Sequence, residues 1–168
     1  MSSFNFDDPI TIKQKSLLLF LFVKKVDKLI CISPSFKNSA IRSGLKNSQI
    51  ELISNFVDTN KFTPNNNKDI LDLKIKNNLM PNIPTLIFVG FFSKEKRPEL
   101  VYQTWKKSFL QGYKSNLIFV GYTKGTYFEI EDNIYKKIIL QIEQNNYSKY
   151  INFVEFTHNI EEYYNISD

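Results

Sequence analysis

The sequence predicts an α/β fold, a Rossmann-like parallel sheet with flanking helices, and two observations carry this prediction. Residues 84–90 and 116–121 are short apolar runs that end in glycine, and unbroken apolar runs are typical of parallel strands covered on both faces. A segment with apolar residues at helical spacing follows each run. The resulting βαβαβα order favours a doubly wound sheet with right-handed crossovers.

The N-terminal part of the chain is predicted to hold two helices and two strands. Apolar residues at helical spacing predict a helix over residues 11–26, and the apolar run at 28–33 predicts a buried strand. Residues 33–35 supply caps and a first-turn proline for a second helix, which Gly44 ends. Alternating apolar and polar residues over 49–54 predict a second strand.

Residues 55–83 differ from the rest of the chain in composition. They hold runs of asparagine and two prolines, a combination typical of a linker or surface excursion. After them the predicted elements are a strand at 84–90, a helix from Pro98 to Gly112, a strand at 116–121, a helix through Ile130 to Ile142, a strand at 150–156 and a short helix at 159–165.

Composition excludes several classes of protein. With one cysteine and one histidine in 168 residues, the chain cannot build a Cys/His zinc site or an internal disulfide. No two glycines have Gly-x-Gly spacing, so the dinucleotide fingerprint and the P-loop are both absent. The net charge of +5 favours an anionic partner, but the basic residues are scattered and the aromatic residues lack the spacing of an RNA-binding sheet. Nucleic acid is therefore not the expected partner.

The expected compartment is the cytoplasm. The longest apolar run, residues 17–23, is too short to cross a bilayer, and no positively charged segment precedes it. A lone cysteine fits a reducing compartment, and the apolar neighbours of Cys31 indicate that it packs inside a strand. The lysines that flank the run leave the membrane surface as an alternative location.

A candidate anion site follows the first strand of the second half. Ligands of open parallel sheets bind beyond the carboxyl ends of the strands, where Gly90 and Gly121 are expected. The loop after Gly90 leads to a helix N-terminus, whose free N–H groups and dipole favour an anion. Lys96 and Arg97 stand at this terminus although cations there oppose the dipole, which makes sense if an anionic ligand lies between them and the N–H groups. The alternative is a solvated surface loop.

Several segments together resemble the family 4 (group 1) glycosyltransferases. They are the junction Asn55-Phe-Val-Asp58 with Phe62-Thr-Pro64, the strand and loop Leu86-Ile-Phe-Val-Gly90 with Ser93-Lys94-Glu95-Lys96, the strand Leu117-Ile-Phe-Val-Gly121, and residues 153–168. The resemblance implies a GT-B enzyme that transfers a sugar, with retention of configuration, from a nucleotide-sugar donor to a glycan or lipid-linked acceptor. It implies neither a metal nor another cofactor.

The resemblance also implies which residues bind the donor. Lys96 corresponds to the lysine that holds the donor diphosphate, while Phe91 replaces an arginine, for which Arg97 is a candidate substitute. With Gly90 at the end of the strand and His158 at the ligand-facing edge, these residues form the predicted donor site. A plain loop histidine is the alternative for His158.

By the same resemblance, residues 1–54 are the tail of an N-terminal domain, 55–83 the interdomain junction and 84–168 an incomplete C-terminal donor-binding domain. The Glu-x7-Glu motif of the family is expected beyond Asp168, so no catalytic residue is assigned and little transferase activity is expected from these residues alone. Two alternatives stay open: a non-catalytic anion- or nucleotide-binding Rossmann module, and a nucleotide-sugar epimerase of the GT-B type.

Overall fold

The structure, a computed structural model, describes residues 8–125 and 130–168. The chain divides into two compact units, the first ending at Asp58 and the second beginning at Thr59. Each unit contains a parallel sheet flanked by helices. The predicted α/β class is therefore confirmed.

The first unit has a two-stranded parallel sheet, in which Leu29 is opposite Ile50. Its elements are α1 (Pro9–Lys15), α2 (Leu17–Val23), β1 (Leu29–Cys31), α3 (Pro34–Ser43) and β2 (Ile50–Leu52). As predicted, Ser33 caps α3 by accepting a hydrogen bond from the Phe36 N–H at 3.2 Å, and Gly44 ends the helix in the left-handed conformation. Cys31 is fully buried in the core of this unit, and burial raises the pKa of its thiol.

The single helix predicted over residues 11–26 is wrong, since the structure has two helices there. Ser16 lies between α1 and α2 with φ −153° and ψ 106°, outside the helical region. Its hydroxyl oxygen accepts a hydrogen bond from the Leu19 N–H at 3.2 Å and so caps α2. A serine side chain competes with the helical backbone in this way, and periodicity alone does not register that competition.

The second unit has a three-stranded parallel sheet in the order β3-β4-β5. Its elements are α4 (Asn67–Lys76), β3 (Thr85–Val89), α5 (Pro98–Leu110), β4 (Asn116–Val120), α6 (Asp132–Gln144), β5 (Ile151–Val154) and α7 (Ile160–Asn165). The strands and helices predicted after residue 84 are confirmed. Helix α4 lies inside the stretch 55–83, where no helix was predicted, and Asn66 caps it by accepting a hydrogen bond from the Asp69 N–H at 3.0 Å.

The core of the second unit lies on both faces of its sheet. All five residues of β4 are buried, as expected for a central parallel strand. On one face Phe119 and Leu117 pack with Trp105 and with the isoleucine stripe of α6, and on the other Ile118 and Val120 pack with Leu79 and Ile166. Strands β3 and β5 form the two edges of the sheet, on either side of β4.

No helix within residues 8–125 and 130–168 has the length and apolar character needed to cross a membrane.

Candidate functional site at the carboxyl edge of the second sheet

The three strands of the second sheet end side by side, and two glycines form the floor where they end. The N–H of Gly90 donates to the carbonyl of Val120, and the N–H of Gly121 donates to the carbonyl of Val154, both at 2.9 Å. Gly121 has φ +135°, and a Cβ atom on it would lie 2.4 Å from the Gly90 oxygen. This position therefore requires glycine, and the floor has no side chains that would hold a ligand away from the backbone.

A cleft of about 510 Å³ lies above this floor. We call it the strand-end cleft, because its walls are the residues that follow each strand: Gly90 and Phe91, Gly121 and Tyr122, and Glu155 and Phe156. A cleft of this size, mostly apolar with a few polar groups, is typical of a small-molecule site.

Aromatic rings continue from one strand end to the next. Phe91 and Tyr122 have ring centroids 6.3 Å apart, and Tyr122 and Phe156 stack at 5.8 Å with an interplanar angle of 11°. His158 meets the ring of Phe156 edge-on at 4.7 Å. Rings of this kind offer flat faces on which a planar heterocycle can stack.

A carboxylate lies in the wall of the cleft that follows β5. Glu155 accepts a hydrogen bond from the hydroxyl of Thr123 at 2.8 Å. Thr123 is only 1% exposed, whereas Glu155 is open to solvent. The buried hydroxyl therefore anchors one oxygen of an accessible carboxylate.

Two cations lie beside the first strand end. A Cβ atom placed on Gly90 would lie 3.6 Å from Cγ of Lys96, so the lysine stem passes next to the floor. Arg97 is the N-cap residue of α5 and has φ 53° and ψ 50°, a left-handed conformation that is unusual for a residue other than glycine. Both side chains are exposed, and among the described residues neither forms a salt bridge.

The structure brings only part of the predicted donor site into the cleft. Gly90 and Phe91 line it, whereas Lys96 and Arg97 lie beside the end of β3 and are not among its lining residues. His158 extends the aromatic row and accepts a hydrogen bond on its backbone oxygen from Nζ of Lys61 at 2.9 Å. Contact of these five residues with a donor stays a prediction.

Sequence reasoning missed Tyr122, Phe156, Glu155 and Thr123. One signal was present, since an aromatic residue follows each strand-end glycine, in Gly90-Phe91 and in Gly121-Tyr122. A second cleft, of about 390 Å³, lies between residues 62–65 and α7 and shares no lining residue with the strand-end cleft. Its lining residues come from α4, α7 and the segments beside them and include none that directly follows a strand, where ligands of parallel sheets bind.

Comparison of the sequence with protein-family models and with curated proteins finds no match. Solved structures do match. HepE from Anabaena in complex with UDP is similar to this chain with a TM-score of 0.65 and 19% identity, over 84% of this chain and 36% of that chain. The complex of HepE with UDP-glucose gives a TM-score of 0.63 with the same identity and coverage.

A glycosyltransferase from Rickettsia africae ESF-5 is also similar. Its TM-score is 0.63 at 16% identity, over 94% of this chain and 40% of that chain. The chain thus spans well under half the length of these solved proteins. At such low identity the likeness establishes a shared Rossmann-like α/β fold.

Proposed function

We propose that this chain forms the nucleotide-sugar-binding part of a retaining glycosyltransferase of the GT-B fold and family 4. The enzyme would transfer a sugar from a nucleotide-sugar donor to a glycan or lipid-linked acceptor. The observation that carries the proposal is the strand-end cleft, an open cleft with a glycine floor and aromatic walls, with the stem of Lys96 running beside the floor. The fold shared with a glycosyltransferase, and with a protein solved with UDP-glucose, supports it.

Each part of the cleft suits one part of a nucleotide-sugar. The aromatic row offers a stacking surface for the base. The floor at Gly90 and Gly121 lets a ligand approach the backbone closely. Lys96 and Arg97 stand at the N-terminus of α5, where their charges and the helix dipole favour the diphosphate.

The proposed role of Lys96 in the reaction is electrostatic. When the bond between the sugar and the diphosphate breaks, negative charge grows on the leaving nucleotide. A cation held next to this position before the reaction stabilises the transition state more than the ground state. Lys96, whose stem runs beside Gly90, would supply that cation, and Arg97 a second one.

Calorimetric titration with UDP, GDP and ADP tests the proposal on the chain as it stands. We expect binding of at least one nucleotide diphosphate, weakened about tenfold or more in Lys96→Ala, because a charge-assisted contact is lost. Lys107→Ala is the matched control, since Lys107 is an exposed lysine in the last turn of α5 and does not line the cleft. Absence of any nucleotide binding, or equal affinities in the two variants, would overturn the proposal.

A further inference from the structure

Residues of opposite charge stand near the two sides of the strand-end cleft. Lys96 and Arg97 lie beside the end of β3, and Glu155 lies just after β5. Strand β4 separates β3 from β5, so two strand spacings place the carboxyl ends of β3 and β5 roughly 10 Å apart. A ligand with its diphosphate at the basic end would therefore extend its base toward Glu155.

Glu155 is held in place at its end of the cleft. Its carboxylate accepts a hydrogen bond from the Thr123 hydroxyl at 2.8 Å, and Thr123 itself is only 1% exposed. A carboxylate has about four acceptor positions on its two oxygens, so the bond to Thr123 leaves room for further donors. Phe156, next to Glu155 in the chain, stacks with Tyr122 and offers a flat surface beside the carboxylate.

An ionised carboxylate only accepts hydrogen bonds, and this selects among the nucleobases. Guanine has two adjacent N–H donors, on N1 and on the 2-amino group, which match the two oxygens of a carboxylate. Uracil has one N–H donor flanked by two carbonyl oxygens that repel a carboxylate. Adenine has an amino group next to a ring nitrogen that is itself an acceptor.

We infer that Glu155 selects guanine, so that the nucleotide-sugar bound here is a GDP-linked sugar. The base lies against the aromatic row, with its N1–H and 2-amino group donating to the carboxylate that Thr123 anchors. The inference rests on the proposed function, because it assumes that the strand-end cleft binds a nucleotide diphosphate. It adds the identity of the base and assigns a residue to its recognition.

The test is calorimetry with GDP, IDP and UDP. IDP differs from GDP only in lacking the 2-amino group, and UDP is the nucleotide found in the HepE complex. We expect GDP to bind about tenfold more tightly than IDP, and its advantage over UDP to be larger. The reason is that each N–H donor missing from the base removes a hydrogen bond to the Glu155 carboxylate. Glu155→Gln should abolish the difference between GDP and IDP and should raise the affinity for UDP, because the neutral amide does not repel the carbonyl oxygens of uracil.

A second pair of variants tests the anchor. Thr123→Val removes the hydroxyl and should reduce the preference for GDP over IDP, whereas Thr123→Ser keeps the hydroxyl and should retain it. Circular dichroism of each variant identifies any loss of fold, and Glu155→Gln serves as the surface variant if Thr123→Val fails to fold. Because Glu155 is exposed, its substitution leaves the core intact.

The outcomes separate this inference from the proposed function. Binding of UDP as tight as that of GDP, or a GDP-to-IDP ratio unchanged in Glu155→Gln, overturns the assignment of guanine and leaves the donor site standing. Failure of all three nucleotides to bind overturns both.

Discussion

Gly121 lies so close to Gly90 that a Cβ atom on Gly121 would be 2.4 Å from the Gly90 carbonyl oxygen. The obstructing atom belongs to the backbone, so no side-chain rotation can relieve the contact. The ends of β3 and β4 therefore fix each other's position and form the floor of the strand-end cleft.

Substitution of this glycine tests the close approach. Gly121→Ala should lower the free energy of unfolding of the second unit by about 2–4 kcal/mol, from left-handed strain plus the steric clash. Gly112→Ala is the control, because Gly112 has φ +95° with nothing within 4 Å of an added Cβ. Both variants place alanine at a positive φ, so the excess loss of Gly121→Ala in urea denaturation reports the clash together with the larger φ of Gly121. Equal losses would contradict the geometry.

The left-handed conformation of Arg97 predicts that stability and ligand binding respond in opposite directions. Asparagine tolerates this conformation better than arginine, so Arg97→Asn should raise the free energy of unfolding by about 0.5–1 kcal/mol. The same change removes a cation from the basic end of the cleft and should weaken nucleotide binding severalfold.

Arg97→Lys separates the two effects. It keeps both the charge and the strain, so stability should be unchanged and most of the affinity retained. Thermal denaturation and calorimetry measure the two quantities on the same samples. A loss of stability in Arg97→Asn would show that the arginine side chain stabilises the helix start.

The buried hydroxyl of Tyr102 predicts a loss of stability at alkaline pH. Tyr102 is fully buried, and within residues 8–125 and 130–168 its hydroxyl oxygen has no hydrogen-bond partner. Burial raises the pKa of Tyr102 above the usual 10.0, and the nearby Tyr147 raises it further. The folded state therefore retains a proton that the unfolded chain releases. The free energy of unfolding is therefore unaffected by this titration below about pH 10 and decreases as the pH rises further.

Tyr102→Phe removes both the unpaired hydroxyl and this titration. We expect it to stabilise the second unit by about 1 kcal/mol at neutral pH, with an advantage that widens above about pH 10. Tyr113→Phe is the matched control, since Tyr113 is 72% exposed. Urea denaturation at several pH values gives the result, and a constant difference between wild type and variant across this range would refute the assignment.

The apolar surface of α2 predicts binding to anionic membranes, in keeping with the proposed lipid-linked acceptor. Its exposed apolar side chains are Leu17, Leu18, Leu19, Leu21 and Phe22, and the lysines before and after it are Lys13, Lys15, Lys24 and Lys25. Apolar side chains with a lysine rim bind vesicles that contain anionic lipid more strongly than neutral ones.

Sedimentation with the two kinds of vesicle measures this preference. Leu18→Glu should reduce binding severalfold because it places a charge at the centre of the apolar surface. Leu110→Glu changes an equally exposed leucine of α5 and should have little effect. Identical behaviour of the two variants, or no preference for anionic lipid, would rule out this role for α2.

Local signals were sufficient for most of the secondary structure. The cap at Ser33, the proline at the start of α5 and the apolar runs of β3 and β4 each act within a few residues, so the sequence predicts them directly. Ser16 and α4 were missed for a related reason. In both places one polar residue caps a helix, and its effect is hidden by the composition around it.

The candidate site was predictable only in part. Gly90 and the loop after it stand out because a glycine follows an apolar strand. The stack of Tyr122 on Phe156 and the bond from Thr123 to Glu155 join residues more than thirty positions apart in the chain. They depend on which strands become neighbours, and a βαβ alternation leaves that order open.

The position of Trp105 makes the second unit directly observable. This single tryptophan is 1% exposed in the core of that unit, and all nine tyrosines of the chain also follow Thr59. Near-ultraviolet absorption and intrinsic fluorescence therefore come from one unit, while the other contributes only phenylalanine. An optical melting curve of the intact protein reports the second unit by itself, without labels and without dissection of the chain.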